Sequence, residues 1–468
     1  MSHAKSSQLF VFAHLDTAFV PAGKLTLTEQ GSEVIASEFL YGLKYLERPN
    51  ALELDPLGLS IANKDVIRGQ RLFPPNQAAY FGAIRDAAPD AWGRRVIEAR
   101  HKVPLNSLPE SVYLLEAGGN RVGALDVRES TSATPRQGHS PITQLAYLLE
   151  AVERIEAGLP IPQNLASIFD SGSALGGARA KATVRDEQGV LWLAKFRSLG
   201  EQLDVPAIEA ATLNLARLCG LTVPPIKLLE VGGRSVMLIR RFDRYWEGDL
   251  GLARETRGAA EGNLLDYRNP RFQAQPASDL QEKRLHFVSG LTLLACDEYS
   301  AREKSYAELA QAIRRYCHPA LVRENNRELF ARMVFNIFVS NDDDHLRNHG
   351  FLYYPPALGK SNLGGGWGLS PLYDVMPRPS LATERLLFLG VGNMGRAANL
   401  DNAMSACAQF SLADAEGREV ISRIWQQVRQ WRVAFEDFGL PATTIQQAAP
   451  AFRHLRDVCS PSLQRALP

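Results

Sequence analysis

The most informative part of the sequence is 341-NDDDHLRN-348, which directly follows a strongly apolar segment. Apolar residues between Leu329 and Phe338 recur at helical spacing, which predicts a helix buried over a broad face. Adjacent carboxylates at the end of such a helix are unfavourable, because the helix dipole disfavours anions there. Their burial is also costly unless they are solvated, paired or bound to a metal ion. The stretch is therefore either a solvated acidic loop or a functional site.

A second acidic segment supports the functional interpretation. Asp343 and Asn348 are five residues apart, the D-x-x-x-x-N spacing of the catalytic Asp and the metal-binding Asn in kinase catalytic loops. Asp374 lies 26 residues after Asn348, behind a hairpin predicted from residues 351–354 and 367–369. Protein kinases place their second magnesium ligand similarly, and Mg²⁺ prefers oxygen ligands. Taken alone, Asp374 is equally well explained as a turn or cap residue.

A glycine-rich segment, 171-SGSALGGARAK-181, lies upstream. Glycines let backbone N–H groups approach phosphate oxygens, although the segment matches neither G-x-x-x-x-G-K-[ST] nor G-x-G-x-x-G. Its candidate nucleotide-binding residues are Gly176, Gly177, Ala178 and Lys181. Lys195 stands in the apolar run that follows, where a lysine either reaches out of the sheet or meets an anion. Glu209 is its available partner, although acids are favoured in the first turn of any helix.

The order of these elements is more informative than any one of them. It runs from the glycine-rich loop through the strand lysine, the helix glutamate and a second hairpin to a helical region with the two acidic segments. Each element has a structural explanation, but packing alone rarely produces all of them in this order. The residues therefore favour a phosphotransferase.

Composition and charge exclude several other classes. The 468 residues are 45% hydrophobic and 22% charged, as in ordinary globular chains, and the formal net charge is +1. This balance gives no global electrostatic signature for nucleic acid or an anionic membrane. No apolar run approaches the ~18 residues of a spanning helix, and no secretory signal is recognisable, so we expect a cytosolic protein. The five cysteines lie far apart, which argues against a disulfide framework or a zinc site.

The local patterns predict a mixed first third and a mostly helical last part. Strands are expected at 9–15 and 122–125, and a helix interrupted by Pro89 at 80–99. Two hairpins are expected in the middle third, at 178–184 with 190–196 and at 226–231 with 235–239. A helix beginning near Pro206 and ending at Gly220 separates them, and another helix is expected at 414–438. Residues 129–141 have the composition of a linker, and 245–283 that of a long surface insertion.

The same residues resemble the HipA-type serine/threonine kinases, the toxins of bacterial HipBA toxin–antitoxin modules. The similarity extends from about residue 35 to 440 and is carried by residues 81–95 (FGAIRDAAPDAWGRR), 175–181 (LGGARAK), 241–244 (RFDR), 341–348 and 371–375 (PLYDV). The resemblance implies an α+β, kinase-like bilobal fold with an N-terminal subdomain, an α/β N-lobe and an all-helical C-lobe. The corresponding predicted domains are residues 1–135, 142–244 and 245–468.

The resemblance also implies roles for individual residues. Asp343 would be the catalytic base, and Asn348 and Asp374 would bind Mg²⁺. Residues expected to bind ATP are those of the glycine-rich loop named above, Lys195, Glu209, Arg240, Phe242 and His345. For His345, a packing role is the favoured alternative.

The implied partners are a separate HipB-like helix-turn-helix antitoxin and a protein substrate such as an aminoacyl-tRNA synthetase. DNA would be contacted only through the antitoxin. Members usually carry an autophosphorylated serine just before the Leu-Gly-Gly triplet, where this chain has Ala174. Either Ser173 replaces that serine or the switch is absent, and Ala180 stands where a proline or an acid is common. A phosphate on Ser173 would add negative charge beside the ATP phosphates.

Two other functions stay open at this point. One is phosphoryl transfer to a small molecule on the same fold, against which the HipA-like first third argues. The other is a non-catalytic corepressor bound to the antitoxin, which the presence of all the key polar residues disfavours.

Overall fold

The structure is a computed structural model that describes residues 4–136, 138–173, 177–246, 282–354 and 365–468. In this part of the chain the strands are β1 (Lys5–Leu15), β2 (Ala18–Gln30), β3 (Glu33–Tyr41), β4 (Leu125–Arg128), β5 (Ser140–Pro141), β6 (Lys181–Arg185), β7 (Leu191–Phe196), β8 (Ile226–Val231), β9 (Arg234–Arg240), β10 (Arg244–Trp246), β11 (Glu282–Arg284), β12 (His286–Ser289), β13 (Gly350–Tyr354) and β14 (Gly366–Leu369).

The α-helices of the same ranges are α1 (Leu43–Leu46), α2 (Lys64–Ile67), α3 (Gly82–Ala87), α4 (Ala91–His101), α5 (Glu110–Glu116), α6 (Leu145–Glu156), α7 (Ile168–Ser171), α8 (Val205–Leu218), α9 (Gly290–Leu293), α10 (Tyr306–Tyr316), α11 (Val322–Val339), α12 (Leu400–Ser405), α13 (Asp414–Val428), α14 (Trp431–Asp437), α15 (Ala442–Ala448), α16 (Leu455–Val458) and α17 (Pro461–Ala466). Short 3-10 turns connect several of them.

Contacts divide the chain into two compact units. Within the described residues, the first contains 4–200, 229–246 and 282–288, and the second contains 201–228 and 289–468. These groupings do not test the three predicted domain boundaries, which stay predictions. In the described ranges, no helix combines the length and the apolarity needed to cross a membrane.

The first unit begins with a four-stranded sheet in the order β3-β2-β1-β4. Leu9, Val11, Ala13 and Leu15 of β1 are buried, which is the period-two pattern of a strand with one face on a core. The register between β1 and β2 shifts at Val11 and Phe12. The strand predicted at 9–15 is thereby confirmed, whereas β2 and β3 were not predicted from the sequence.

A second sheet of the first unit has the order β5-β6-β7-β9-β8. The even-numbered residues of β6, β7 and β9, from Ala182 to Leu238, face a core shared with α4 and α6. Both predicted middle hairpins are present, and the left-handed Gly232 and Gly233 form the turn of the second. The odd-numbered positions are therefore left on the opposite face of the sheet, which matters for the lysines described below.

The second unit is mainly helical and centres on α11. This helix is buried over most of its length and packs against α10, α12, α13 and α16, as its broad apolar surface predicted. The predicted hairpin is confirmed as β13 paired antiparallel with β14. The helix expected at 414–438 is two helices, because the chain leaves helical geometry at Gln430.

The helices predicted at 80–99 and from Pro206 to Gly220 are present, with ends that differ by a few residues from the prediction. The segment 80–99 forms α3 and α4, interrupted around Pro89 as expected. Asp204 caps α8 by accepting a hydrogen bond from the backbone N–H of Ala207 at 3.3 Å. Gly220, at φ +79°, follows the end of α8, where a left-handed residue is needed.

Candidate active site

The acidic loop leaves α11 through a sharp left-handed turn. Ser340 has φ 54°, and the backbone N–H of Asn341 still donates to the carbonyl of Asn336 at 3.1 Å. The side-chain amide of Asn341 donates to the side-chain oxygen of Asn336 at 3.1 Å. The loop is therefore fixed to the last turns of the helix rather than extending it.

Asp344 is a buried anchor of the loop. It is 1% exposed, and its Oδ2 accepts hydrogen bonds from Tyr306 Oη at 2.6 Å and Asn336 Nδ2 at 2.7 Å. His349 Nε2 lies 3.0 Å from the same oxygen. Burial alone would raise the pKa of Asp344, but its neighbour His349 and the hydrogen bonds together hold the pKa below its ordinary value. Asp344 thus serves the structure of the loop, and the sequence did not distinguish it from its two neighbours.

Asp343, the predicted base, is by contrast half-exposed, with 52% of its side chain accessible. Its Oδ2 accepts a hydrogen bond from Arg378 Nη2 at 2.7 Å, while Arg378 Nε lies 2.9 Å from Asp342 Oδ1. Burial, opposed by Arg378 and reinforced by Asp343, raises the pKa of Asp342. Arg378 was missed by sequence reasoning, although a basic residue four positions after Asp374 was the available signal.

Asn348 is joined to the same turn of the loop. Its side-chain Nδ2 donates to the backbone carbonyl of Asp343 at 3.0 Å, and its backbone N–H donates to the carbonyl of His345 at 2.8 Å. Since the amide nitrogen points to Asp343, the amide oxygen Oδ1 points away from it and is the atom that could bind a cation. The predicted pair Asp343 and Asn348 is thus brought together by one short turn.

The segment that carries Asp374 is fastened to this loop on both sides. Tyr373 Oη donates to the carbonyl of Arg347 at 2.7 Å, and the N–H of Met376 donates to Asn341 Oδ1 at 3.4 Å. Asp374 itself is half-buried and has φ 59°, a left-handed conformation that costs of order 1–3 kcal/mol in a non-glycine residue. Strain of this kind persists only where the surroundings impose it, which makes Asp374 a functional candidate.

The donor set of this region fits Mg²⁺. Across the described ranges, no group of three His, Cys, Asp or Glu side chains is placed to hold a metal ion. Mg²⁺ needs no such group, since it is commonly bound by one or two carboxylates together with waters and substrate phosphates. One carboxylate from Asp374 and the amide oxygen of Asn348 match that requirement.

Two lysines meet on the first unit's second sheet. Lys181 of β6 and Lys195 of β7 are directly paired, at odd-numbered positions on the face opposite the core, and they are 5% and 7% exposed. Like charges directly opposite each other are unfavourable in a sheet unless negatively charged atoms lie near them, and phosphate oxygens are atoms of that kind. A Cβ on Gly177 would collide with Lys181 Nζ, so the ammonium group lies against the glycine backbone. Such a combination suits a phosphate chain.

The remaining predicted residues are placed as follows. Lys195 belongs to the first unit and Glu209, buried in α8, to the second, so their pairing stays a prediction. Ala178 is exposed, Arg240 is buried in β9, Phe242 lies 6.4 Å from the ring of Phe287, and His345 lies 5.8 Å from the ring of Phe388. Gly176 and Ala174 lie outside the described residues. Ser173 is described and only 2% exposed, so its phosphorylation would require this segment to open.

The chain matches the family model described as HipA-like C-terminal domain over residues 173–432, more than half of its length. The chain belongs to this family. All the candidate site residues described above lie within the matched range. The resemblance seen in the sequence motifs is thereby confirmed.

Two further similarities agree with membership of the HipA-like family. "Putative kinase Y4mE" of Sinorhizobium fredii (strain NBRC 101917 / NGR234) is 24% identical over 379 residues, which cover 75% of each chain. A chain of the Shewanella oneidensis MR-1 toxin antitoxin system HipA, HipB and operator DNA complex has 13% sequence identity and a TM-score of 0.57. That match covers 93% of this chain and 94% of the other. The similarity establishes the predicted α+β, kinase-like fold.

Proposed function

We propose that this chain is the kinase toxin of a type II toxin–antitoxin module and phosphorylates a protein on serine or threonine with ATP and Mg²⁺. The observation that carries the proposal is the loop in which the Asn348 amide holds the Asp343 backbone, with the strained Asp374 fastened alongside. Membership of the HipA-like family and the kinase-like fold support it.

In the proposed reaction, Asp343 accepts the proton of the acceptor hydroxyl as the hydroxyl oxygen bonds to the γ-phosphorus of ATP. The bond between that phosphorus and the β,γ-bridging oxygen breaks, and ADP leaves. Arg378 positions the carboxylate of Asp343 through its hydrogen bond. Lys181 and Lys195 would bind phosphate oxygens. Mg²⁺ held by Asn348 and Asp374 would neutralise charge on the phosphates.

The proposed partners follow from the family resemblance. We assign to this chain a HipB-like helix-turn-helix antitoxin, and DNA contact only through that antitoxin. The Shewanella structure, which contains HipA, HipB and operator DNA, supports this assignment. We further propose a translation component such as an aminoacyl-tRNA synthetase as the protein substrate, and action in the cytoplasm.

The test is transfer of labelled γ-phosphate by the purified full chain with ATP and Mg²⁺, in the presence of cell lysate. Asp343→Asn should lower the transfer rate by about 10²–10⁴-fold, the usual contribution of a general base. Asp342→Asn is the matched control, because it removes the neighbouring carboxylate that also pairs with Arg378 and should change the rate less than 10-fold.

Mass spectrometry of the labelled products would identify the acceptor residue and protein. Equal, small effects of Asp343→Asn and Asp342→Asn would contradict the role of Asp343 as base. Label found only on a small molecule, or no transfer despite ATP binding, would refute the protein-kinase proposal.

A further inference from the structure

A pocket of about 380 Å³ lies in the first unit, apart from the candidate active-site residues. Its walls come from the β1–β2 turn, residues 119–120, 135–136 and 139, the end of β6, and β11. Four arginines line it, Arg128, Arg136, Arg185 and Arg284, against the single carboxylate of Glu282. We call it the arginine pocket.

The excess of positive charge continues beneath the arginine pocket. Asp243 pairs with two further buried arginines, at 2.7 Å each. Asp126 is shared between a third buried arginine, at 3.4 Å, and Arg128 of the pocket, at 2.8 Å. Glu282 pairs with Arg185 at 2.8 Å. In this connected cluster of described residues, three carboxylates therefore compensate six arginines: Arg121, Arg128, Arg185, Arg241, Arg244 and Arg284. Arg185 and Arg284 are half-buried and the other four arginines are buried. Because charges of one sign in a poorly hydrated region are unfavourable without a counter-charge, an anion would stabilise the cluster.

The shortage of negative charge is clearest at Arg284. Among the described residues, no carboxylate lies within ion-pair distance of its guanidinium, which donates to the carbonyl of Gly119 and stacks over Phe19 with 4.7 Å to the ring centroid. Burial, followed by the charge of Arg244, holds the pKa of Arg284 well below its ordinary value. A negatively charged ligand would supply the missing counter-charge and would raise the pKa of Arg284 towards its ordinary value.

Arg128, which also lines the pocket, has one nitrogen without a hydrogen-bond partner among the described residues. Its side chain is 8% exposed, with Nε bonded to Asp126 and Nη1 to the carbonyl of Ala133. Nη2 of Arg128 is buried and has no hydrogen-bond partner in the described structure. Among the described residues, Nδ1 of His14, another residue of the pocket, is also buried without a hydrogen-bond partner. Burial mainly, with a smaller contribution from the charges of Arg284 and Arg244, lowers the pKa of His14 to about 3.

We propose that the arginine pocket binds a small, multiply charged anion, namely the phosphate or pyrophosphate group of a metabolite. Guanidinium groups bind phosphate oxygens through paired, directional N–H donors, and four arginines line this pocket. The volume lies at the low end of the range for small-molecule pockets, so it fits a pyrophosphate or a sugar phosphate rather than a macromolecule. The pocket shares no residue with the glycine-rich loop or with the two lysines of the proposed ATP site.

The test is titration calorimetry of the full chain with sodium pyrophosphate and, separately, inorganic phosphate. Pyrophosphate should bind, and Arg284→Gln should weaken its binding to the arginine pocket at least 10-fold. Arg71→Gln is the matched control, because it removes the same charge from a residue of the first unit that is 70% exposed and outside the pocket. The Arg71→Gln variant should bind pyrophosphate with the affinity of the unaltered chain.

Lys195→Ala separates the arginine pocket from the proposed ATP site, since it should leave pyrophosphate binding in the pocket unchanged. If Arg284→Gln does not fold, Arg136→Gln, at a pocket residue that is 56% exposed, should still weaken binding several-fold. The proposal is overturned if neither anion binds at millimolar concentration, if the pocket variants bind as well as the unaltered chain, or if Lys195→Ala abolishes all binding. It is equally overturned if a DNA duplex binds at these arginines and pyrophosphate does not.

Discussion

Removing one hydroxyl group, by Tyr306→Phe, tests whether the acidic loop is held by its buried anchor. The hydroxyl donates to Asp344 at 2.6 Å and lies 3.3 Å from Asn336 Nδ2, which donates to both partners. Tyr306 is fully buried and Asp344 is 1% exposed, so water does not replace the lost donor. The substitution leaves the shape of the ring unchanged, which confines its effect to the hydrogen bonds.

The expected loss follows from the charge of the acceptor. A hydrogen bond to a charged group contributes about 1.5–3 kcal/mol. A buried carboxylate that loses such a donor is no longer fully compensated for the water it lost on folding, so the folded state is destabilised. We therefore expect Tyr306→Phe to lower the free energy of unfolding of the second unit by about 1.5–3 kcal/mol. Calorimetric or urea-induced unfolding at pH 7 measures this difference. Tyr299→Phe is the control, because Tyr299 is 93% exposed and the loss of its hydroxyl should cost almost nothing.

The pH dependence of Tyr306→Phe provides a second, independent readout. The folded pKa of Asp344 lies below the unfolded value of 3.8, so its stabilisation is present above that value and is lost as the pH falls through the folded pKa. The tyrosine hydroxyl contributes to that lowering, so the difference between the variant and the unaltered chain should narrow on acidification. A change below about 0.5 kcal/mol, within the range of ordinary surface substitutions, or a difference that does not vary with pH, would refute the role of Asp344 as anchor.

Three further predictions concern other parts of the molecule. His286 is buried, and burial is the main cause that lowers its pKa to about 4. Between pH 6.5 and pH 4 the unfolded chain therefore binds a proton that the folded chain does not, so stability falls on acidification. His286→Gln should make the loss of unfolding free energy between pH 7 and pH 5 smaller by about 2 kcal/mol, as measured by chemical denaturation at both pH values. Gly392→Ala should lower stability by about 1–3 kcal/mol in thermal unfolding, since its Cβ would collide with the backbone carbonyl of Asn402. Trp92→Phe should cost at least 1 kcal/mol, measured in the same way, because it removes the Nε1 hydrogen bond to the carbonyl of Lys181 at 2.8 Å together with part of a fully buried ring. An unchanged pH dependence in His286→Gln would contradict the lowered pKa, and unchanged stability in either of the other two variants would contradict the corresponding contact.

The local parts of the fold were predictable because their signals lie within short stretches of sequence. The two middle hairpins, the buried helix α11 and the paired positions of Asp343 and Asn348 each depend on spacing over fewer than 20 residues. Strands β2 and β3 were not predicted, since their apolar residues are diluted by polar ones and pairing with β1 defines them. The sequence also could not predict that Asp344 is buried and structural while Asp343 is exposed. This difference depends on Tyr306, which is 38 positions away in the sequence, and on the side from which α10 approaches.

The segment 241–244 shows how the same residue type can be structural in one place and indicate a ligand site in another. Asp243 is fully buried, pairs with Arg241 and Arg244, and accepts a hydrogen bond from the N–H of Gly123, which is 120 positions away. Burial alone would raise the pKa of Asp243, but the two arginines hold it well below its ordinary value, so the group is a permanent anion. These arginines therefore share one carboxylate of the chain, and their bonds to the carbonyls of residues 120–123 connect the segment to the first unit's N-terminal part. Arg284 shares their surroundings without an acid of its own among the described residues, and it is this contrast, rather than the number of arginines, that identifies the arginine pocket as a site for an anion.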